Sequence, residues 1–164
     1  MITKYIDLKN FTLKKSNKKI KKDLNNLLKE NNTVLKSLSS TYKNSYSKAT
    51  ILKLKKYSYI RVIGMGGSIL GTESIYNFLK KKIKKNFCFN NNLHPKITLH
   101  NKKKFLNLVV SKSGNTLETI SNANVIIKND SKNIFITENK DSYLYLLAKK
   151  LKAEIIHHNN FIGG

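Results

Sequence analysis

Between residues 18 and 38, apolar side chains stand at helix-like spacings, at Ile20, Leu24, Leu27, Leu28, Leu35 and Leu38, with Lys, Asn and Asp between them. That period lines one face of a helix and leaves the other wet, so the stretch reads as a packing helix. "NSYSKATILKLKK", residues 44–56, reads as a second helix. From residue 59 the period changes. "YIRVIG" is a short, nearly continuous apolar run and reads as a buried strand. "ESIYNFLKKKIKK" reads as the helix that covers it, with Ile75, Phe78, Leu79 and Ile83 on the buried face.

The next segment, "NFCFNNNLHPK", carries an Asn run and Pro95 and reads as a loop, and "ITLHN" after it as a short strand. "FLNLVVS" is a strongly apolar strand, followed by a helix from Thr116 to Lys128 with Ile120, Ala123, Ile126 and Ile127 inward. "NIFITE", "SYLYLLAKKL" and "AEIIHH" continue as strand, helix and strand. Strands that alternate with helices predict an α/β fold: a five-stranded parallel sheet between two helical layers, an αβα sandwich preceded by N-terminal helices. The change of period divides the chain into a helical segment, residues 1–57, expected to pack on the core, and a domain of residues 58–164.

In such sheets ligands sit beyond the carboxyl ends of the strands, where the strand order reverses. The loops after Ile63, Val110 and Thr137 are therefore the ones expected to carry chemistry. The first, "GMGGS" at residues 64–68, removes side chains where a strand turns into a helix. Glycines there serve either a tight turn or the close approach of backbone N–H groups to an anion, and Ser68 adds a hydroxyl. A dinucleotide fingerprint would need a third glycine where Ile69 stands, and a P-loop would need a lysine that the loop lacks.

The second loop, "SKSGNT" at residues 111–116, has the same strand-to-helix setting. It offers hydroxyls from Ser111, Ser113 and Thr116, a cation in Lys112, and Gly114 for close approach. Asn115 with Glu118 three residues later matches an N-capping arrangement. Turn and cap chemistry accounts for such residues singly. Two hydroxyl-rich loops on one sheet edge point to a shared phosphate.

Composition changes the picture little. A content of 40% hydrophobic residues with seven Gly and one Pro fits a folded protein. The net charge of +23 would ordinarily suggest nucleic acid or an anionic membrane. Yet the cations are 31 Lys against one Arg, Arg61, accompanied by 22 Asn, the bias of an AT-rich genome. The base-reading arginine is nearly absent, and the lysines are spread beside apolar residues as solvated faces, so neither nucleic acid nor membrane is the expected partner. Such a field still attracts anionic metabolites.

A single cysteine, Cys88, excludes an intrachain disulfide framework and a cysteine-based zinc site. His157 and His158 are neighbours on a strand, point to opposite faces and make a poor chelate, so no metal is expected. The N-terminus "MITKYIDLKN" lacks a signal-peptide apolar region, and the expected compartment is the cytoplasm.

"GMGGSILG" and "SKSGNTLETI" together resemble the two sugar-phosphate loops of the sugar isomerase (SIS) superfamily. Within it they are most similar to the glucose-6-phosphate isomerases, whose signatures read G-I-G-G-S-x-L-G and S-K-T-F-T-T-x-E-T. The resemblance covers residues 58–164. It implies phosphate contacts at Gly67 and Ser68, and at Ser111, Lys112, Ser113 and Thr116, with Gly114 and Asn115 replacing the commoner Phe and Thr. It also implies a flavodoxin-like sheet, a second similar domain, a homodimer, and interconversion of glucose 6-phosphate and fructose 6-phosphate in glycolysis and gluconeogenesis without metal or coenzyme.

In that family a histidine opens the ring, a glutamate moves a proton between adjacent carbons, and an arginine follows a G-G like that of "FIGG" at the end of this sequence. The resemblance therefore implies that arginine and base lie beyond Gly164 and that the chain, as a fragment, is inactive alone. "SGNT" also resembles the bifunctional glucose/mannose phosphate isomerases, and a non-catalytic SIS sensor of sugar phosphates is the alternative from a binding class.

Overall fold

The computed structural model describes residues 17–30, 32–93, 104–128 and 130–162. The chain forms two compact units, Met1–Tyr42 and Lys43–Gly164. The expected strand "ITLHN", the Pro95 turn and the terminal Gly163 and Gly164 lie outside the described residues.

In the first unit the single helix expected over residues 18–38 is two, α1 (Lys18–Lys29) and α2 (Thr33–Ser37). Asparagines divide them. Asn17 Oδ1 accepts the N–H of Lys19 at 3.0 Å and Asn32 Oδ1 that of Val34 at 2.8 Å. Each side chain satisfies a donor that a helix start leaves open, so Asn32, in the gap between Leu28 and Leu35, begins a new helix.

The second unit runs α3 (Lys48–Lys55), β1 (Tyr59–Gly64), α4 (Gly67–Leu79), β2 (Asn86–Asn90), β3 (Phe105–Val110), α5 (Leu117–Ile126), β4 (Lys132–Thr137), α6 (Tyr143–Lys150) and β5 (Glu154–His157). The five strands form one sheet in the order β2-β1-β3-β4-β5, every pair parallel. Chain order reverses between β1 and β3, which makes their carboxyl ends the switch point.

Both faces are covered. Ile63, Val109 and Phe135 pack under Ala123 and Ile126 of α5 and Leu144 and Ala148 of α6. On the opposite face Ile60 and Val62 meet Ile69 of α4, with Leu54, Phe87 and Leu108 around them. Each fully buried Ile, Leu or Phe stabilises by about 1.5–3 kcal/mol, which makes these two layers the main cohesion of the sheet. Arg61, the sole arginine, is 6% exposed inside this sheet, its guanidinium 4.3 Å from the ring centre of Phe105.

Two further expectations differ from the structure. Residues 86–90, read as loop, form the edge strand β2, paired from Asn86 beside Tyr59 to Asn90 beside Ile63. Phe87 and Phe89 stack at 6.1 Å against the α4 side, while the flanking asparagines are tolerated because an edge strand leaves polar groups near water. The second correction concerns α4, which begins six residues earlier than expected, at Gly67. Its phase is set by Ile69, fully buried, and the inward row continues through Tyr76, whose ring lies 5.0 Å from Phe87. Ile75 and Phe78, expected inward, are 62% and 88% exposed.

Polar side chains fix the ends. Lys85 Nζ donates to the carbonyls of Leu54, Lys55 and Tyr57 at the end of α3, where a helix leaves acceptors open and favours a cation. Glu154 of β5 accepts from the Thr50 hydroxyl and pairs with Lys53 at 2.6 Å, tying α3 to the sheet.

Candidate functional site

Three loops leave the carboxyl edge of β1, β3 and β4 side by side. The first turns at Gly64, where a Cβ would meet the Val110 carbonyl oxygen at 2.9 Å, so the neighbouring strand requires glycine. Gly66 has φ +55° and precedes α4 without a side-chain cap. Of the first N–H groups of α4, that of Ser68 donates to the Met65 carbonyl at 3.2 Å and that of Ile69 to the Gly66 carbonyl at 3.0 Å, which leaves the Gly67 N–H for a ligand or water at the positive end of a 13-residue helix.

The second loop is held mainly by its own hydroxyls. Ser111, 2% exposed, brings Oγ within 3.0 Å of Thr116 Oγ1 and accepts the Gly114 N–H at 3.2 Å. Ser113 Oγ accepts the N–H of Asn115 at 3.2 Å and lies 3.5 Å from Thr116 Oγ1. Gly114 has φ +69°, a left-handed conformation that disfavours a side chain. The expected N-cap at Asn115 is not formed: Thr116 occupies the cap position of α5, and Asn115 Oδ1 instead accepts the N–H of Tyr143 at 2.9 Å.

The third loop follows Thr137. The Glu138 N–H donates to the Lys112 carbonyl at 3.1 Å, so loops two and three are joined through backbone. The Glu138 carboxylate bonds Lys140 at 2.7 Å and lies 3.9 Å from Lys112. The hydrogen bond from Lys140 holds this carboxyl below the usual carboxylate range, and the charges of Lys140 and Lys112 act in the same direction. Beyond it, the N–H of Asn139 donates to His157 Nδ1 at 3.2 Å.

Between the loops lies a pocket of about 360 Å³. Gly67 and Ser68 line it from the first loop, Lys112, Ser113 and Thr116 from the second. Ser111, Gly114 and Asn115, expected as phosphate contacts, are not among the lining residues. Met65, Glu138 and Lys140 line it as well. Glu138 and Lys140 follow Thr137, in the third loop expected to carry chemistry, so position was their signal. Hydroxyls, the positive end of α4 and two ammonium groups on one pocket suit a phosphate, while the single carboxylate is an acceptor for hydroxyl groups.

Among the described residues no three His, Cys, Asp or Glu side chains gather to hold a metal ion, and no helix is long and apolar enough to cross a membrane.

No family model matches the sequence. The chain is 46% identical over 80 residues to a glucose-6-phosphate isomerase of Methanocaldococcus jannaschii, a match covering 46% of this chain and 20% of the relative. It is 33% identical over 129 residues to the glucose-6-phosphate isomerase of Borreliella burgdorferi strain ZS7, covering 67% of this chain and 24% of the relative. The chain thus spans no more than 24% of the length of these relatives. Among solved structures, the tagatose-6-phosphate ketose/aldose isomerase of Escherichia coli shares the fold, with a TM-score of 0.54 at 21% identity over 69% of this chain and 33% of that one. The resemblance carried by the two loops is borne out in sequence, and the parallel α/β sheet in structure.

Proposed function

We propose that this chain, similar in sequence to glucose-6-phosphate isomerases, forms the phosphate-gripping part of an aldose–ketose isomerase that interconverts glucose 6-phosphate and fructose 6-phosphate. The observation that carries this reading is the convergence of Ser68, Ser113 and Thr116 with Lys112 and Lys140 on one pocket at the switch point of the sheet. A phosphate dianion there receives charge-assisted hydrogen bonds from hydroxyls and ammonium groups together with the Gly67 N–H at the start of α4.

The remainder of the sugar is an uncharged polyol, and Glu138, kept ionised by its lysine partners, accepts from its hydroxyls. This pocket binds and orients; the proton transfer between adjacent sugar carbons and the stabilisation of the intermediate are proposed to come from further segments of a homodimeric cytoplasmic enzyme.

Calorimetric titration with glucose 6-phosphate, fructose 6-phosphate, mannose 6-phosphate, glucose and inorganic phosphate tests the reading. Glucose 6-phosphate and fructose 6-phosphate should bind and compete with inorganic phosphate, and glucose should not. The 164-residue chain should show no turnover in a coupled assay. Failure of both hexose 6-phosphates to bind would overturn the proposal, and the mannose 6-phosphate result decides whether the site is restricted to the glucose and fructose esters.

A further inference from the structure

We infer that Asn115 is a positioning residue, whose side chain fastens the phosphate loop to the first turn of α6 and makes no bond to the phosphate. The inference rests on the phosphate reading of the pocket and revises the part of Asn115 within it.

The start of α6 needs partners. An α-helix leaves its first N–H groups open, and the residue before the helix normally caps one of them. Here that residue is Ser142, which is 4% exposed, makes no cap bond, and keeps a buried Oγ without a hydrogen-bond partner. The donors are satisfied from the phosphate loop: the Tyr143 N–H by Asn115 Oδ1 at 2.9 Å and the Leu144 N–H by the Gly114 carbonyl at 3.0 Å. Asn115 therefore caps a helix that begins 28 residues further along the chain.

Ser142 is displaced from capping by the same contact. A Cβ on Gly114 would meet Ser142 Oγ at 2.1 Å and Thr137 Oγ1 at 2.9 Å, so the loop lies directly on the start of α6. Tyr143, whose N–H is capped, also donates its hydroxyl to Asn124 Oδ1 at 3.1 Å, linking α6 to the helix that follows the loop.

The consequence reaches the pocket through Ser113 and Thr116, the hydroxyls on either side of the clamped pair. Fixing Gly114 and Asn115 fixes the separation of those two oxygens, 3.5 Å. A loop released from α6 would have to be ordered by the ligand, which lowers apparent affinity by the fraction of chains already competent.

Asn115→Asp and Asn115→Ala separate positioning from contact. The experiment measures Kd for inorganic phosphate and glucose 6-phosphate by calorimetry, and hydrogen exchange at the Tyr143 amide without ligand. Aspartate keeps the acceptor and suits the positive end of a helix, so the Asp variant should bind within about threefold of the parent and keep the Tyr143 amide protected. The Ala variant should lose that protection and bind about three- to tenfold more weakly, the range of a lost cap.

A residue touching phosphate predicts the reverse, because a carboxylate placed there repels the ligand and would weaken binding more than alanine does. That outcome, or an Ala variant with unchanged Tyr143 exchange, overturns the inference. If Asn115→Ala does not fold, the Asp variant alone decides, since the two roles give it opposite results. A parent chain that binds neither anion fails the phosphate reading, whereas a Tyr143 amide indifferent to residue 115 fails the capping, so the two failures are told apart.

Discussion

The hydroxyl oxygens of Ser111 and Thr116 stand 3.0 Å apart across the second loop, and only one of the two residues lines the pocket. Ser111 Oγ is turned inward, to Thr116 and the Gly114 N–H, while Thr116 bridges the buried serine and the ligand space. Replacing Ser111 with alanine should leave the Gly114 N–H short of a partner and lower stability by about 1–2 kcal/mol. Ser68→Ala should instead leave stability unchanged and weaken binding of a sugar phosphate by about 1–3 kcal/mol, the worth of a hydroxyl on a charged oxygen. Urea denaturation beside calorimetry checks both, and equal effects of the two variants on both readouts would refute the division.

Two glycines of this unit should respond in opposite ways to alanine. Gly114, at φ +69°, would place a Cβ 2.1 Å from Ser142 Oγ and 2.9 Å from Thr137 Oγ1, so Gly114→Ala should cost about 1–3 kcal/mol through strain and displacement. Gly71 lies inside α4 with nothing within 4 Å of its added Cβ. Gly71→Ala should stabilise by about 0.5–1 kcal/mol, the helix preference of alanine over glycine. Denaturation midpoints of the two variants should shift to opposite sides of the parent.

The central strands were legible because burial on both faces writes them as runs such as "VIG" and "LVV", and a parallel order followed from their alternation with helices. Strand β2 was hidden because an edge strand can carry Asn86 and Asn90 at its ends, residues that otherwise mark turns. In the site, Ser68, Lys112, Ser113 and Thr116 were legible from loop position and hydroxyl content. The backing role of Ser111, Gly114 and Asn115 was not, because it depends on α6, whose nearness to the loop is a tertiary fact. Glu138 and Lys140 were indicated by position alone, in the loop after Thr137, and the pairing of β4 beside β3 brings that loop to the pocket.

Acid should erase the contribution of two ion pairs. Hydrogen bonding from Lys53, then from Thr50, holds Glu154 below the ordinary carboxylate value of 4.5, as Lys140 does for Glu138. A carboxyl whose folded pKa is depressed contributes stability above the unfolded value and loses it as pH falls through the folded one. Lys53→Ala and Lys140→Ala should therefore be less stable than the parent at pH near 7, with the difference shrinking as pH drops below about 4.5. Urea titrations across that range check the sign, and a difference that stays constant into acid would contradict it.

The helix α4 offers a test of packing, because its aromatic residues Tyr76 and Phe78 sit on opposite faces only two positions apart. Counting from the buried Ile69 at 100° per residue brings Tyr76 back to the same side and carries Phe78 half a turn away. Tyr76 meets Phe87 at 5.0 Å and Phe89 at 5.8 Å, whereas Phe78 is 88% exposed. Tyr76→Ala should cost about 2–4 kcal/mol, since it removes a large ring from an aromatic cluster and leaves a cavity beside the edge strand. Phe78→Ala should change stability by no more than about 0.5 kcal/mol, as substitutions of exposed side chains usually do. The hydrophobic pattern alone assigned Phe78 to the buried face, so denaturation of these two variants distinguishes the phase set by Ile69 from the phase set by counting apolar residues.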